Sequence, residues 1–292
     1  MAGSYLEYPI RGRKFSYSLE VREHLYAHAT PYQRIDVYDT VCFGRVLTLD
    51  GHVQLSSLDE FAYHEALVHI PLLSVPEPKR ALVVGGGDGG VLRELCRWKS
   101  FETIDMVEID KEVIDASKRW LPELSEGAFD DPRVNVRIGD AFEFVAKVSE
   151  DYDFIVMDIT DVYEEEAEAL SENLVTAKFL ADVRNALSPK GIAVSQADNL
   201  LFCPYSLKGL LGAISDVFAK SGSYWALIPS FGGFSGYCWA SKEAEILPEW
   251  PGSRDLRLRY LNELSYRMAF SPLPFSKVAE HLMESEASIF KG

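Results

Sequence analysis

Two rhythms of apolar and polar positions divide the chain. From Phe15 to Ser57 the two kinds of residue alternate in short runs, FSYSLEV, YQRIDVYDT, GRVLTLD and HVQLS. A period of two puts one face of each run against a core and the other toward water, so these runs predict antiparallel strands. LDG at residues 49–51 predicts a hairpin turn, because Asp-Gly supplies the positive φ that a two-residue connection needs. DEFAYHEALVHIPLL then sets Phe61, Ala62, Glu65, Ala66 and Ile70 at mixed helical spacings, which predicts a helix from an Asp59 cap to near Pro71. After PEPKR the rhythm changes to continuous apolar runs separated by amphipathic stretches, the βαβ signature of a buried, mostly parallel sheet. The strand candidates are RALVVG, TIDMVEID, VNVRIGD, YDFIVMD, GIAVSQAD, YWALIPS and GYCWASK. The clearest helices between them span residues 172–187 and 206–220, and the change of rhythm divides the chain into residues 1–58 and 59–292.

Composition narrows the function. The 292 residues are 47% hydrophobic, enough for one large core with a small appended module. With 45 acidic and 29 basic residues the formal charge is −16, which opposes nucleic acid and anionic membranes and suits a cationic small molecule. Cys42, Cys96, Cys203 and Cys238 form no CxxC or Cys/His ligand spacing, so they are expected to be reduced and buried, and no metal is expected. Arg11, Arg13 and Lys14 interrupt the first 20 residues and no later run reaches the length of a membrane span, so a cytoplasmic location is expected.

The stretch VVGGGDGGVLREL carries the chemistry. Gly85, Gly87 and Gly90 satisfy G-x-G-x-x-G between a strand and a helix, where backbone must approach a ligand closely. Asp88 in their midst would repel a pyrophosphate and attract a sulfonium or ammonium. The other strand ends carry Glu108 with Asp110, Asp140, Asp158 with Asp161, and Gln196 with Asp198. Each acid has a plain alternative as the cap of the next helix, above all Asp110 and Asp198. Together they would ring one cleft with negative charge, an arrangement costly to stability unless cations bind there. Glu108 lies 23 positions after Gly85, near the roughly 20 expected of a carboxylate that holds a ribose hydroxyl pair. Asp140 suits either an adenine amino group or a helix cap.

With YQRIDV, GRVLTLDG, DEFAYHE, GGGDGGVLRE, VEID, GDAFEF and DITD in order, the sequence resembles the polyamine aminopropyltransferases, the spermidine synthase family. The likeness runs from about Arg13 to the last sixty residues. It implies a methyltransferase-like Rossmann sheet of seven mostly parallel strands, joined to a small N-terminal antiparallel β-domain. It implies aminopropyl transfer from decarboxylated S-adenosylmethionine, a co-substrate and not a tightly bound cofactor, to an amine such as putrescine. By resemblance Asp158 orients and deprotonates the amine, which must lose a proton from a pKa of about 10.4 to attack. Asp161, Tyr63, Gln196 and Phe231 fall in the amine pocket. Gln33, His64, Gly85, Gly87, Asp88, Glu108, Asp140 and Ala141 fall on the co-substrate side, with His64 touching it. Family members commonly form homodimers or homotetramers through the N-terminal strands.

Two stretches depart from the family pattern, both on the amine side. The loop after Asp161, which in the family carries Pro and Gly-Pro-Ala, reads DVYEEEAEAL and is far more acidic. Where the family shows PTY, this chain has IPSFGG, which puts Phe231 in place of a tyrosine. The acceptor is therefore open, with agmatine, cadaverine or spermidine as alternatives to putrescine. A methyltransferase would share the sheet and Glu108 but has no use for Tyr63 and Asp158. A silent polyamine-binding protein need not keep both acids, and an NAD-dependent dehydrogenase is disfavoured by Asp88.

Overall fold

The computed structural model describes residues 4–10, 15–159, 175–201 and 203–273. The first five strands, β1 (Ser4–Ile10), β2 (Phe15–Ala29), β3 (Arg34–Thr40), β4 (Gly44–Leu49) and β5 (His52–Ser56), pair in chain order as an antiparallel meander. Asp50 and Gly51 take φ of 49° and 79°, the left-handed pair expected of the Asp-Gly hairpin. The run SYLEYPI, which the sequence reading did not mark, is an edge strand; Leu6 and Tyr8 point inward.

The seven remaining strands are those expected from the apolar runs: β6 (Arg80–Gly85), β7 (Thr103–Glu108), β8 (Val134–Ile138), β9 (Tyr152–Asp158), β10 (Leu187–Asn199), β11 (Lys220–Ile228) and β12 (Gly233–Ser241). Their order is β11-β12-β10-β9-β6-β7-β8, parallel from β8 through β10, with β12 antiparallel to both of its neighbours. The order reverses between β6 and β9, whose carboxyl ends therefore open into a crevice. Leu82, Val83, Val84, Ile155 and Val156 are fully buried, as a central parallel strand covered on both faces requires.

Helix α1 (Glu60–Leu72) precedes the sheet, and α2 (Gly90–Cys96), α3 (Lys111–Trp120), α4 (Pro122–Ser125), α5 (Ala141–Val145), α6 (Ala177–Ala186), α7 (Pro204–Ser215) and α8 (Glu263–Ala269) follow. The helix expected over residues 206–220 ends earlier, because Lys220 already pairs with Ser241 as the first residue of β11. The meander packs on the helices that follow β7: Ile35, Val37, Leu47, Leu49 and Leu55 form a core with Val113 and Ala116 of α3, Leu121 at the α3–α4 junction and Leu124 of α4. Cys203 and Cys238 are buried as expected, whereas Cys96 is half-buried and Cys42 is exposed; all four are free. Among the described residues no helix is long and apolar enough to cross a membrane.

Candidate active site

A cavity of about 450 Å³ lies where the meander meets the carboxyl ends of β6, β7, β9 and β10. That is the size of a small-molecule site. Its floor is the glycine loop. Gly85 pairs with Asp158 across β6 and β9, takes φ of +80°, and a Cβ on it would stand 2.3 Å from the Asp158 carbonyl oxygen. Only glycine fits there. The next residue, Gly86, donates its N–H to that same oxygen at 3.1 Å. At Gly87 a Cβ would press on Val113 and come within 3.0 Å of Glu108 Oε2. The loop thus bends tightly against β9 and leaves its backbone open to the cavity.

Acids ring this space. Asp88, Glu108, Asp140, Asp158 and Asp198 all line it. Asp158 accepts a hydrogen bond of 2.7 Å from the Tyr63 hydroxyl. Burial and the nearby Asp88 charge push its pKa up to about 6, against the opposing pull of His64 and the Tyr63 hydroxyl. Glu108 is pushed up to about 7, chiefly by burial, although its Oε1 accepts the Asp110 N–H at 2.9 Å. Asp88 Oδ1 accepts the Gly90 N–H at 2.6 Å and faces His64 Nε2 at 3.4 Å. Of the expected ring of acids these five line the space, whereas Asp110 stands outside it and Asp161 lies outside the described residues; behind Asp88 sits His64, a neighbour that the sequence did not reveal.

Comparison with known proteins gives the site its context. A family model described as the spermine/spermidine synthase domain matches residues 60–248, and one described as the spermidine synthase tetramerisation domain matches residues 7–57. The chain is 38% identical over 261 residues to a polyamine aminopropyltransferase of Desulforudis audaxviator, covering 88% of this chain and 92% of that protein. It belongs to the spermine/spermidine synthase family. A spermine synthase of Arabidopsis thaliana is 40% identical over 230 residues, 78% of this chain and 62% of that protein. The crystal structure of spermidine synthase from Thermotoga maritima superposes with a TM-score of 0.84 at 29% identity, covering 96% of this chain and 95% of that one. A spermidine synthase in complex with the transition state analogue AdoDATO matches equally well, with the same TM-score, identity and coverage. The protein is thus an aminopropyltransferase with a Rossmann-like sheet and an N-terminal β-meander.

Set on this aminopropyltransferase frame, the residues singled out from sequence sort clearly. Gln33, Tyr63, Gly85, Gly87, Asp88, Glu108, Asp140, Ala141, Asp158, Gln196 and Phe231 all line the cavity. His64 does not. It was expected to touch the co-substrate, yet its ring stands behind Asp88, 1% exposed, with Nδ1 against Glu60 Oε2 at 2.7 Å. Asp161 and the acidic loop after it lie outside the described residues. Asp110 caps α3 and accepts hydrogen bonds from Thr30 and Gln33, so it ties the meander to the sheet from outside the cavity wall. Asp140 caps α5 with Oδ1, 2.7 Å from the Phe142 N–H, while still facing the cavity.

The meander's share of the wall was not legible in the sequence. Tyr8 and Pro9 of β1 and His52 and Gln54 of β5 reach the cavity, as do Asn199 and Ser230 from the main sheet. A signal was present in the LDGHVQ run, but alternation alone does not say which domain a strand face covers. Asp59 corrects another expectation. It precedes α1 without a side-chain cap bond; instead Oδ2 accepts the Ser230 N–H at 2.7 Å and Oδ1 the hydroxyls of Ser230 and Ser56. Tyr8 donates to the Ser230 carbonyl, so the residue before Phe231 is held through its N–H, its hydroxyl and its carbonyl.

Proposed function

We propose that this protein transfers the aminopropyl group of decarboxylated S-adenosylmethionine to a small diamine, with putrescine as acceptor, giving spermidine and methylthioadenosine. The observation that carries the reading is the Asp158 carboxylate, held by Tyr63 at 2.7 Å at the β6/β9 crevice, with Asp88 and Glu108 on the same cavity wall. In this reading the amine nitrogen attacks the propyl carbon next to the sulfonium. The carbon–sulfur bond breaks with its electron pair going to sulfur, and Asp158 takes the amine proton. An Asp158 pKa of about 6 leaves it ionised near neutrality, as a base must be. Asp88 attracts the ammonium of the aminopropyl arm, and Glu108 holds the ribose hydroxyls, with Gln33, Asp140 and Ala141 beside the nucleoside. Tyr63, Phe231, Gln196 and Asp161 belong to the amine side. Holding nitrogen and carbon in line supplies much of the rate, since the thioether is already a good leaving group.

The reading includes a division at residues 58 and 59, with the N-terminal sheet as the surface of a homodimer or homotetramer. The tetramerisation-domain match over residues 7–57 supports it. Phe231 is the observation that favours a second acceptor: its ring packs edge-on to Tyr63 at 5.6 Å and offers an amine no hydroxyl. A longer amine such as agmatine, cadaverine or spermidine would lose less by that change.

Incubation with the decarboxylated co-substrate and each of these amines tests the reading through methylthioadenosine formation. Putrescine is expected to give the highest kcat/KM, and Asp158→Asn to reduce turnover by at least about a hundredfold while the nucleoside still binds. Absence of methylthioadenosine with every amine would defeat it.

A further inference from the structure

Behind Asp88 a row of ionised side chains runs through the interior. Arg93 on α2, 5% exposed, donates from Nη1 and Nη2 to the two oxygens of Glu60, both at 2.9 Å, and from Nε to Glu94 at 2.6 Å. Glu60 Oε2 faces His64 Nδ1 at 2.7 Å, and His64 Nε2 faces Asp88 Oδ1 at 3.4 Å. One atom each of His64, Asp88 and Asp158 lie within 4.8 Å of one another. A buried chain of this kind costs desolvation that apolar packing would avoid, so its presence calls for a role.

The ring environment specifies the charge. An imidazole with one carboxylate hydrogen-bonded to Nδ1 and a second 3.4 Å from Nε2, which makes no hydrogen bond of its own, is favoured by charge in its doubly protonated form. His69, on the same helix, is arranged otherwise: its Nδ1 accepts from Trp98 Nε1 at 3.0 Å, which leaves only Nε2 to donate to Glu94. Helix α1 therefore holds two buried histidines in different hydrogen-bonding surroundings.

We propose that Glu60 and Arg93 are positioning residues for aminopropyl transfer, fixing His64 as an imidazolium between Asp88 and Asp158 so that both acids stay ionised before a cationic substrate arrives. The inference rests on the reading of Asp158 as the base. Two carboxylates this close would otherwise share a proton and leave no free base near neutrality. Burial by itself would push the His64 pKa down, but Asp88 and Glu60 overcome it and hold it at about 10. The groups facing His64 are Glu60 and Tyr63 on its own helix, Asp88 in the glycine loop and Asp158 at the end of β9, with Arg93 of α2 reaching it through Glu60. Gly90 makes the room: a Cβ there would stand 2.3 to 2.5 Å from three ring atoms.

Nitrogen-edited NMR of histidine-labelled full-length protein, with His64 assigned through its own backbone, reads the proton inventory without substrate. Both ring nitrogens are expected to remain protonated through neutrality and well above it. In Glu60→Gln the ring keeps only Asp88 against the cost of burial and should lose its proton well below the wild-type value, in the range where Asp158 titrates. The acid limb of kcat/KM should move up, because a ring that loses its charge in the range where Asp158 titrates no longer holds that acid ionised. A packing role alone would lower activity at every pH and leave the limb in place. A wild-type His64 that is singly protonated at neutral pH overturns the proposal, as does an unmoved limb in folded Glu60→Gln. Should that variant not fold, the wild-type spectrum still decides, and Arg93→Lys, which loses the two-pronged grip, should shift the limb in the same direction by less. A doubly protonated His64 in a protein that transfers to no amine would sink the role of Asp158 and leave the ion chain standing.

Discussion

At the scale of single residues, the five glycines around Asp88 are there for different reasons, and only some of those reasons are written locally. Gly85 and Gly89 take positive φ, a demand that a strand-to-helix turn makes visible in sequence. Gly90 has ordinary backbone angles and is required by the His64 ring, which arrives from α1, 26 positions earlier. No local pattern announces such a contact, which is why Asp88 was legible as a cation-seeking acid while its internal partner was not. Gly90→Ala should therefore act through the ring. Overpacking of this kind costs about 1–3 kcal/mol, or a fall in melting temperature of several degrees. Displacing His64 from Asp88 should also cut kcat/KM by at least about tenfold. A melting temperature and activity both equal to wild type would contradict the contact.

At the scale of elements, α1 organises the site, and its reading from sequence was half right. Its span was legible from the Asp59 start and the apolar content. The fate of its polar positions was not legible, since Glu60, His64, Glu65 and His69 are all buried. Each points to a distant partner: Glu60 to Arg93, His69 to Glu94, and Glu65 to the backbone N–H groups of Arg259, Tyr260 and Leu261. A helix enclosed on all sides shows no clean polar face, and periodicity cannot tell a solvated acid from a paired one. The seven strands of the main sheet were legible because buried parallel strands are nearly pure apolar runs. Strand β1 was not, because an edge strand of seven residues with exposed alternate positions carries a weak signal. The residue just before α1 supplies the prediction. Asp59→Ala would leave the buried Ser230 N–H without its acceptor, at a cost of about 1–3 kcal/mol, and free the turn that carries Phe231. If, as proposed, that turn faces the amine, steady-state kinetics should show KM for the amine rising several-fold more than KM for the nucleoside. An equal rise in both would mean that the clamp only supports the fold.

At the scale of the whole molecule, the ringed acids and the buried histidine make stability depend on pH in a definite direction. Glu108, raised from the usual 4.5 to about 7 by burial, binds its proton more tightly folded than unfolded. Its contribution is complete below about pH 4.5 and is lost as pH rises through 7, a loss on the order of 3 kcal/mol. Asp158, raised to about 6, acts in the same sense over a narrower window. His64, raised from 6.5 to about 10, keeps its contribution below 6.5 and loses it toward 10. Glu94 opposes them: although buried, it is held down at about 2 by His69, Arg93 and Arg97, so its contribution holds above about 4.5 and disappears as pH falls through 2. The free protein should therefore be most stable near pH 5 and melt at progressively lower temperature toward pH 9. Self-repulsion from the formal charge of −16 adds to that slope, but salt screens it, whereas the buried groups are screened far less. Thermal melts across pH at low and at high salt separate the two, and the slope should survive at high salt. A cationic ligand stabilises the ionised acids, so its binding at about pH 6.5 should release protons, measurable by calorimetry in buffers of different ionisation enthalpy. A melting temperature that climbs from pH 5.5 to 8, or binding at pH 6.5 without proton release, would mean that Glu108 is already fully ionised in the free protein and does not wait for a positive charge.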